Sequence, residues 1–218
     1  KMESQMNFNV AKEPRGFIKF IQIFMAILAF ATTCGFSSYT QFKVDCKPTP
    51  KQETLRFAYP FRISSEHEIP KFICNETDKT PKLSLYGDFA APSQFYVFVG
   101  VMCFLYCLAA LVLYFFFSHV YAEDPRAPKA DLIITIVFAV LWFISSTAWA
   151  DGVTKLKEYT SSNRIFFEVD ECHPVRHKGF CSPISEPGFA GLDISLICGF
   201  TNMFLWAASV WFIWKETP

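Results

Sequence analysis

The most informative stretch of this sequence is Phe95–Phe117, which reads FYVFVGVMCFLYCLAALVLYFFF and has no charged residue among its 23 positions. A helix of about 20 apolar residues is long enough to cross a hydrocarbon core of about 30 Å. Similar apolar windows occupy residues 17–36, 132–150 and 194–214. We therefore expect an all-α membrane protein whose four spanning helices pack together as a bundle.

The composition supports membrane insertion and argues against two other classes of protein. Of the 218 residues, 52% are hydrophobic and 18% are aromatic, well above the usual content of a soluble domain. Twenty basic residues balance twenty acidic ones, so no basic surface is expected to hold a phosphate backbone. A water-soluble globule and a nucleic-acid-binding protein are both disfavoured.

An arm, two long loops, a short connector and a short tail lie outside the predicted spans. Their predicted bounds are 1–16 for the arm, 37–94 and 151–193 for the loops, 118–131 for the connector and 215–218 for the tail. An even number of spans places both termini on one side of the membrane and both long loops on the other. Apolar and polar residues alternate near Phe42–Cys46 and Leu55–Tyr59, which predicts a small antiparallel sheet in the first loop.

The placement of the cysteines indicates which side of the membrane the loops face. Cys46 and Cys74 lie in the first long loop, and Cys172 and Cys181 lie in the second. One disulfide in each loop is the simplest arrangement, and disulfides require an oxidising lumen or exterior. Asn75 begins an Asn-Glu-Thr sequon beside Cys74, and N-glycosylation also takes place on the lumenal side. We expect lumenal loops and cytoplasmic termini.

Other uses of the cysteines stay open at this point. A zinc site is one alternative for four residues of the second loop, Cys172, His173, His177 and Cys181. The oxidising compartment favours the disulfide over this zinc site, because oxidation removes the thiolates. Cys34 and Cys198 lie near the same ends of the first and fourth spans and could form a third disulfide. Cys103 and Cys107 share one face of the second helix, where we expect packing between helices.

Few polar side chains interrupt the four apolar windows. Lys19 lies about one turn from the start of the first span, where its amine is expected to reach the headgroups. Gln22, Asn202 and Ser145–Thr147 are expected to form hydrogen bonds within the bundle. No span shows a continuous polar face, and we find no catalytic sequence motif. We therefore expect no transport pathway, no enzymatic activity and no bound cofactor or metal.

Seven short segments carry a resemblance that covers nearly the whole chain. They are Lys12–Pro14 followed by Gly16–Lys19, then Ala29–Thr32, Val44–Cys46, Tyr59–Arg62, Gly87–Phe89, Ser145–Ala150, and Trp211–Phe212 with Lys215–Thr217. In this order they resemble the synaptophysin family of vesicle membrane proteins, which is part of the wider four-helix MARVEL group. A single tripeptide would say little, whereas seven segments in order along about 200 residues are specific.

The resemblance implies a location and partners for this chain. It implies cholesterol-rich secretory or synaptic-like vesicles, homo-oligomers within the membrane, and association with the vesicle SNARE synaptobrevin. It also implies the two disulfides within the loops and a glycosylated lumenal face. The V-ATPase membrane sector of the same vesicles is a further candidate partner.

The leading functional hypothesis is a non-enzymatic organiser of vesicle membrane that assists the sorting of synaptobrevin in exocytosis and vesicle recycling. Its contacts with partner helices and lipid are expected at Trp142, Trp206 and Trp211. The alternatives are a claudin-like junctional adhesion protein and an oligomeric channel. The first loop lacks the Trp-Gly-Leu-Trp pattern of claudins, and a channel would need a polar helix face at the centre of a ring.

Overall fold

The structure is a computed structural model that describes residues 14–63, 68–70, 73–74, 82–84, 87–116, 126–176 and 180–216. The chain forms two compact units. The membrane unit comprises Lys1–Thr32, Phe95–Trp149 and Asp193–Pro218, and the loop unit comprises Thr33–Gln94 and Ala150–Leu192.

In the described part of the chain, four long helices cover the four apolar windows, except that residues 35–36 follow the first helix and residue 117 lies outside the described residues. The helices are α1 (Pro14–Cys34), α2 (Ala90–Phe116), α3 (Arg126–Tyr159) and α5 (Ala190–Glu216). All four are long and apolar enough to cross a membrane. The expected fold class of a four-span helical membrane protein is therefore confirmed.

Helix α3 is much longer than its apolar window of residues 132–150. It has 34 residues, which corresponds to about 50 Å at 1.5 Å per residue. Pro128 lies in its first turn, where the missing N–H costs little because that position has no partner inside the helix. Beyond the window, Lys155 pairs with Asp151 at 2.7 Å, one turn away on the exposed surface. The hydropathy of the sequence predicts only the part of the helix that crosses the membrane. The polar residues after position 150 continue the same helix beyond the apolar window.

The loop unit contains the predicted antiparallel sheet. Strand β1 (Ser37–Val44) pairs with β2 (Lys51–Ala58) on one side and with β5 (Cys181–Ser185) on the other. Phe42 and Leu55 are among the residues buried on one face, as the alternating pattern requires. A second, two-stranded sheet pairs β3 (Glu68–Pro70) with β4 (Lys82–Ser84). The sheet expected in the first loop is present, and the second loop contributes one of its strands.

The second long loop also holds a short helix, α4 (Ser162–Glu168), followed by a 3₁₀ turn at Asp170–Cys172. The side chain of Ser161 caps α4 by accepting a hydrogen bond from the Arg164 N–H at 3.4 Å. In the turn, the Glu171 carboxylate accepts hydrogen bonds from the Ile73 N–H at 2.7 Å and the Cys74 N–H at 3.0 Å. Glu171 therefore ties the second loop to the first.

Both expected disulfides are present, Cys46–Cys74 and Cys172–Cys181. The second disulfide rules out the zinc alternative, because Cys172 and Cys181 no longer have thiolates to offer. Cys34 and Cys198 are both free thiols, so the third disulfide is absent. His177 and the sequon residue Asn75 lie outside the described residues.

Candidate functional site

The large aromatic side chains of the membrane unit are divided between its interior and its surface. Trp142 and Trp206 are 0% exposed, so the expectation that they face lipid or a partner is wrong. The Trp206 ring lies 4.9 Å from the Phe138 ring and 5.9 Å from the Tyr106 ring, measured between centroids. Trp211, by contrast, is 54% exposed. Only Trp211 of the three keeps an outward position.

The Trp142 indole is held inside by a specific contact. Its Nε1–H donates to Cys103 Sγ at 3.0 Å, and its ring packs edge-on against Tyr96 at 5.7 Å between centroids. Most buried indole N–H groups have an acceptor. Cys103, which lies one turn before Cys107 on the buried face of α2, provides that acceptor and so joins α2 to α3.

Lys19 also lies inside the bundle, so the expectation that its amine reaches the headgroups is wrong. The residue is 1% exposed. Its Nζ lies 4.5 Å from the centroid of the Trp206 ring and 5.1 Å from that of Tyr106. Aromatic faces attract a cation. The amine lies against these two rings, which belong to α5 and α2, although the position of Lys19 near a helix end predicts a solvated side chain. Among the described residues, Nζ has no hydrogen-bond partner.

Asp131 is the acidic counterpart of Lys19 in the membrane unit. It is 6% exposed, and it belongs to the second turn of α3 rather than to a connector. The hydroxyls of Tyr106 and Tyr114 both donate to its carboxylate, and the Thr135 hydroxyl lies 3.4 Å from it. In the sequence, Asp131 directly precedes the apolar window of residues 132–150, a position that predicts a boundary residue rather than a buried one.

Further polar contacts join the helices along the bundle. Gln22 Nε2 donates to Ser209 Oγ at 2.9 Å, and Cys107 Sγ donates to Gln22 Oε1 at 3.7 Å. Between α2 and α5, the Tyr96 hydroxyl donates to the Ser195 carbonyl at 2.5 Å. The hydrogen bonds expected for Gln22 are therefore present, and they connect α1 with α2 and α5. The bonds expected for Asn202 and Ser146 are not found, since Ser146 Oγ and both side-chain amide atoms of Asn202 are buried without a partner among the described residues.

Helix α5 carries a buried polar row, which the apolar window of residues 194–214 does not predict. Ser195, Asn202 and Ser209 recur every seven residues, and all three are buried, as is Trp206. Bulky apolar residues lie between these positions in the sequence and hide the row, although a period of seven residues keeps them on one helix face. The row faces the interior of the membrane unit.

The surface of the membrane unit holds a groove between α2 and α3 with a volume of about 270 Å³. Its lining residues are Tyr106, Ala109, Ala110, Leu113, Tyr114, Ala127, Ala130, Asp131 and Ile134. The alanines make the groove, because their small side chains leave space between the two helices. One part of its wall is polar, because Asp131 and its hydrogen-bonding partners Tyr106 and Tyr114 are among the lining residues.

The amino-acid sequence matches the MARVEL membrane-associating domain over residues 10–212. That match covers almost the whole chain and includes the four long helices described above, apart from the last residues of α5. The chain is a multi-pass membrane protein and belongs to the MARVEL family.

Proposed function

We propose that this chain is a non-enzymatic organiser of vesicle membrane that associates with sterol-rich lipid and assists the sorting of synaptobrevin. Membership of the MARVEL family supports a membrane-associating role. The resemblance of seven ordered segments to the synaptophysin family supports the finer assignment to vesicles, to homo-oligomers and to the SNARE partner.

The groove between α2 and α3 is the observation that carries the lipid part of the proposal. A sterol has a rigid apolar body and a single hydroxyl. The groove has apolar walls, such as Ala110, Leu113 and Ile134, and a polar part formed by Asp131 with its tyrosine partners. A hydroxyl near a carboxylate inside the membrane forms a strong hydrogen bond, so the two kinds of wall suit the two parts of a sterol.

A photoreactive sterol in nanodiscs tests this assignment. Ala130 is exposed and lines the groove, so Ala130→Leu fills the groove without crowding the buried core. We expect this variant to lose most of the cross-linking, severalfold relative to the wild type. Ala207→Leu is the matched control, because Ala207 is also an exposed alanine of a spanning helix but is not among the groove residues. Equal cross-linking of both variants would contradict the sterol assignment.

Capture of intact organelles tests the vesicle and partner assignment. The amino terminus is tagged, organelles are isolated without detergent, and the accompanying membrane proteins are identified by mass spectrometry. We expect synaptobrevin and subunits of the V-ATPase, whereas junctional plasma-membrane proteins would favour adhesion instead.

Trp211 is the outward-facing candidate for contact with a partner helix. We expect Trp211→Leu to lower synaptobrevin recovery in a detergent pulldown while leaving membrane insertion intact. Phe143→Leu is the control, since Phe143 is 54% exposed on a different helix. Unchanged recovery with Trp211→Leu would remove this residue from the proposal.

A further inference from the structure

The loop unit contains a cavity between the start of α2 and the extension of α3. Its volume is about 530 Å³, within the range of about 300–1,000 Å³ that is usual for small-molecule sites. The lining includes Asp88 and Phe89, which directly precede α2, and Asp151, Lys155 and Tyr159 of α3. Among the described residues, this cavity shares no lining residue with the groove between α2 and α3.

The cavity carries charges of both signs at its surface. Asp88, Asp151 and Lys155 are all exposed. Lys155 Nζ lies 2.7 Å from Asp151 Oδ2, and Asp88 Oδ1 accepts a hydrogen bond from the Ala90 N–H at 2.9 Å. An exposed ion pair adds little to folding stability, and an ionised carboxylate can accept about four hydrogen bonds. The donors and acceptors of a ligand can therefore join these contacts.

The positions of these residues along the helices match the headgroup layer of a bilayer. The apolar window of α3 ends at residue 150, and Asp151 and Lys155 follow that end by about 2 and 8 Å at 1.5 Å per residue. In α2, the lining residue Pro92 precedes Phe95, the first residue of its window, by about 5 Å. The polar layer of a bilayer adds roughly 5–8 Å on each side of the hydrocarbon core. The cavity therefore reaches into the layer that contains lipid phosphates and amines.

The aromatic side chains of the cavity do not favour a quaternary ammonium. Phe89 and Tyr159 stack on each other with 6.2 Å between their ring centroids. The Arg164 guanidinium lies 5.5 Å from the centroid of the Tyr159 ring, so a second cation at that ring would be repelled. A primary ammonium has three N–H donors and can form charge-assisted hydrogen bonds with carboxylates instead. The two aspartates therefore favour a primary ammonium.

We propose that this cavity binds the headgroup of a phospholipid that carries a primary ammonium and a phosphate, as phosphatidylethanolamine does. The ammonium donates to the carboxylates of Asp88 and Asp151, and the phosphate accepts from Lys155. Phosphatidylglycerol and phosphatidylserine have a net negative charge, which the two aspartates repel. The site would hold a phosphatidylethanolamine molecule in the leaflet on the side of the long loops.

Native mass spectrometry of the full chain tests this selectivity. The purified protein is stripped of lipid in detergent and mixed with equal amounts of phosphatidylethanolamine and phosphatidylcholine that have the same acyl chains. We expect the wild type to retain phosphatidylethanolamine severalfold more often than phosphatidylcholine. Equal retention of the two lipids by the wild type would overturn the proposal.

A double variant assigns the preference to the two carboxylates. Asp88→Asn combined with Asp151→Asn removes both negative charges, and asparagine keeps the side-chain oxygen that accepts from the Ala90 N–H. We expect this variant to retain the two lipids about equally. Glu158→Gln is the matched control, because Glu158 is an exposed carboxylate of the same part of α3 but is not among the cavity residues. A preference that survives in the double variant, or that is lost in the control, would contradict the assignment to this cavity.

Lys155→Met tests the phosphate contact. Both lipids carry a phosphate, so this variant should retain less of each, and unchanged retention would overturn that contact. Glycerophosphoethanolamine, the same headgroup without acyl chains, distinguishes a membrane lipid from a soluble ligand. We expect it to leave the bound lipid in place when the two are present at equal concentration. Displacement of the lipid under that condition would show that the cavity takes a soluble phosphoamine, which would overturn the lipid assignment.

Discussion

Gly199 is a residue whose role depends on having no side chain. A Cβ atom built at this position of α5 would lie 2.5 Å from Tyr96 Oη and 2.7 Å from Ser146 Oγ. The Tyr96 hydroxyl is not free to move away, since it donates to the Ser195 carbonyl at 2.5 Å. Close approach of α2 and α3 to α5 at this level therefore requires glycine.

We predict that Gly199→Ala destabilises the protein by about 1–3 kcal/mol, because the added methyl group overpacks the interior. The expected fall in Tm is several degrees for a chain of this size, measured as the loss of monodisperse protein after heating in detergent. Gly188→Ala is the control, as no atom lies within 4 Å of a Cβ built there. A Tm for Gly199→Ala as high as that of the control would refute the steric account.

The inward orientation of the Lys19 side chain is not predictable from its position in the sequence. Its distance from the helix end is readable in the sequence, but whether its amine turns outward or inward depends on what the neighbouring helices place beside it. Here Trp206 and Tyr106 supply two ring faces, and both come from distant parts of the chain. No local pattern around Lys19 contains that information.

At the scale of elements, the extension of α3 past residue 150 belongs to the loop unit. Leu156 is 0% exposed there, and the Thr160 carbonyl accepts a hydrogen bond from the Thr40 hydroxyl of β1 at 2.6 Å. The segment just after the helix is therefore hydrogen-bonded to the sheet, and the end of the helix carries a buried side chain within the loop unit. Correct folding of the loop unit should depend on the continuity of this helix.

We predict that Thr154→Pro lowers the stability of the loop unit by about 3 kcal/mol, since proline removes a helical hydrogen bond and clashes with the carbonyl one turn earlier. Thr154 is exposed, so Thr154→Ala should be nearly neutral and controls for the loss of the side chain. Limited proteolysis of the purified protein measures the difference. Equal resistance of the two variants would show that the extension does not support the loop unit.

At the scale of the whole molecule, the two disulfides and the four spans together predict the orientation. Disulfides form in an oxidising compartment, so the loops that contain Cys46, Cys74, Cys172 and Cys181 should face the lumen. Both termini should then face the cytoplasm.

We predict that Asn75 carries an N-linked glycan. We also predict that a tag on the amino terminus is digested when protease is added to sealed vesicles. Removal of the glycan by an endoglycosidase should increase the mobility of the wild type on a gel but not that of Asn75→Gln. Thr77→Ala, which breaks the same sequon without changing the asparagine, should behave like Asn75→Gln. A protected tag would reverse the predicted orientation.

The sequence by itself determined the four spans, the sheet in the first loop and the pairing of the loop cysteines. Each of these follows from a local pattern: a run of apolar residues, an alternation with period two, or cysteines confined to two segments. Membrane insertion depends mainly on such patterns, because hydropathy acts on each helix separately.

Only the tertiary structure decided which side chains face inward. Trp142, Trp206, Lys19 and Asp131 are all interior, although their positions in the sequence predict the surface or the membrane boundary for each of them. In a spanning helix both the lipid-facing and the buried faces are apolar, so hydrophobicity does not distinguish them. The inward face is set by contacts between helices far apart in the sequence, such as Gln22 with Ser209, and these contacts exist only once the bundle has assembled.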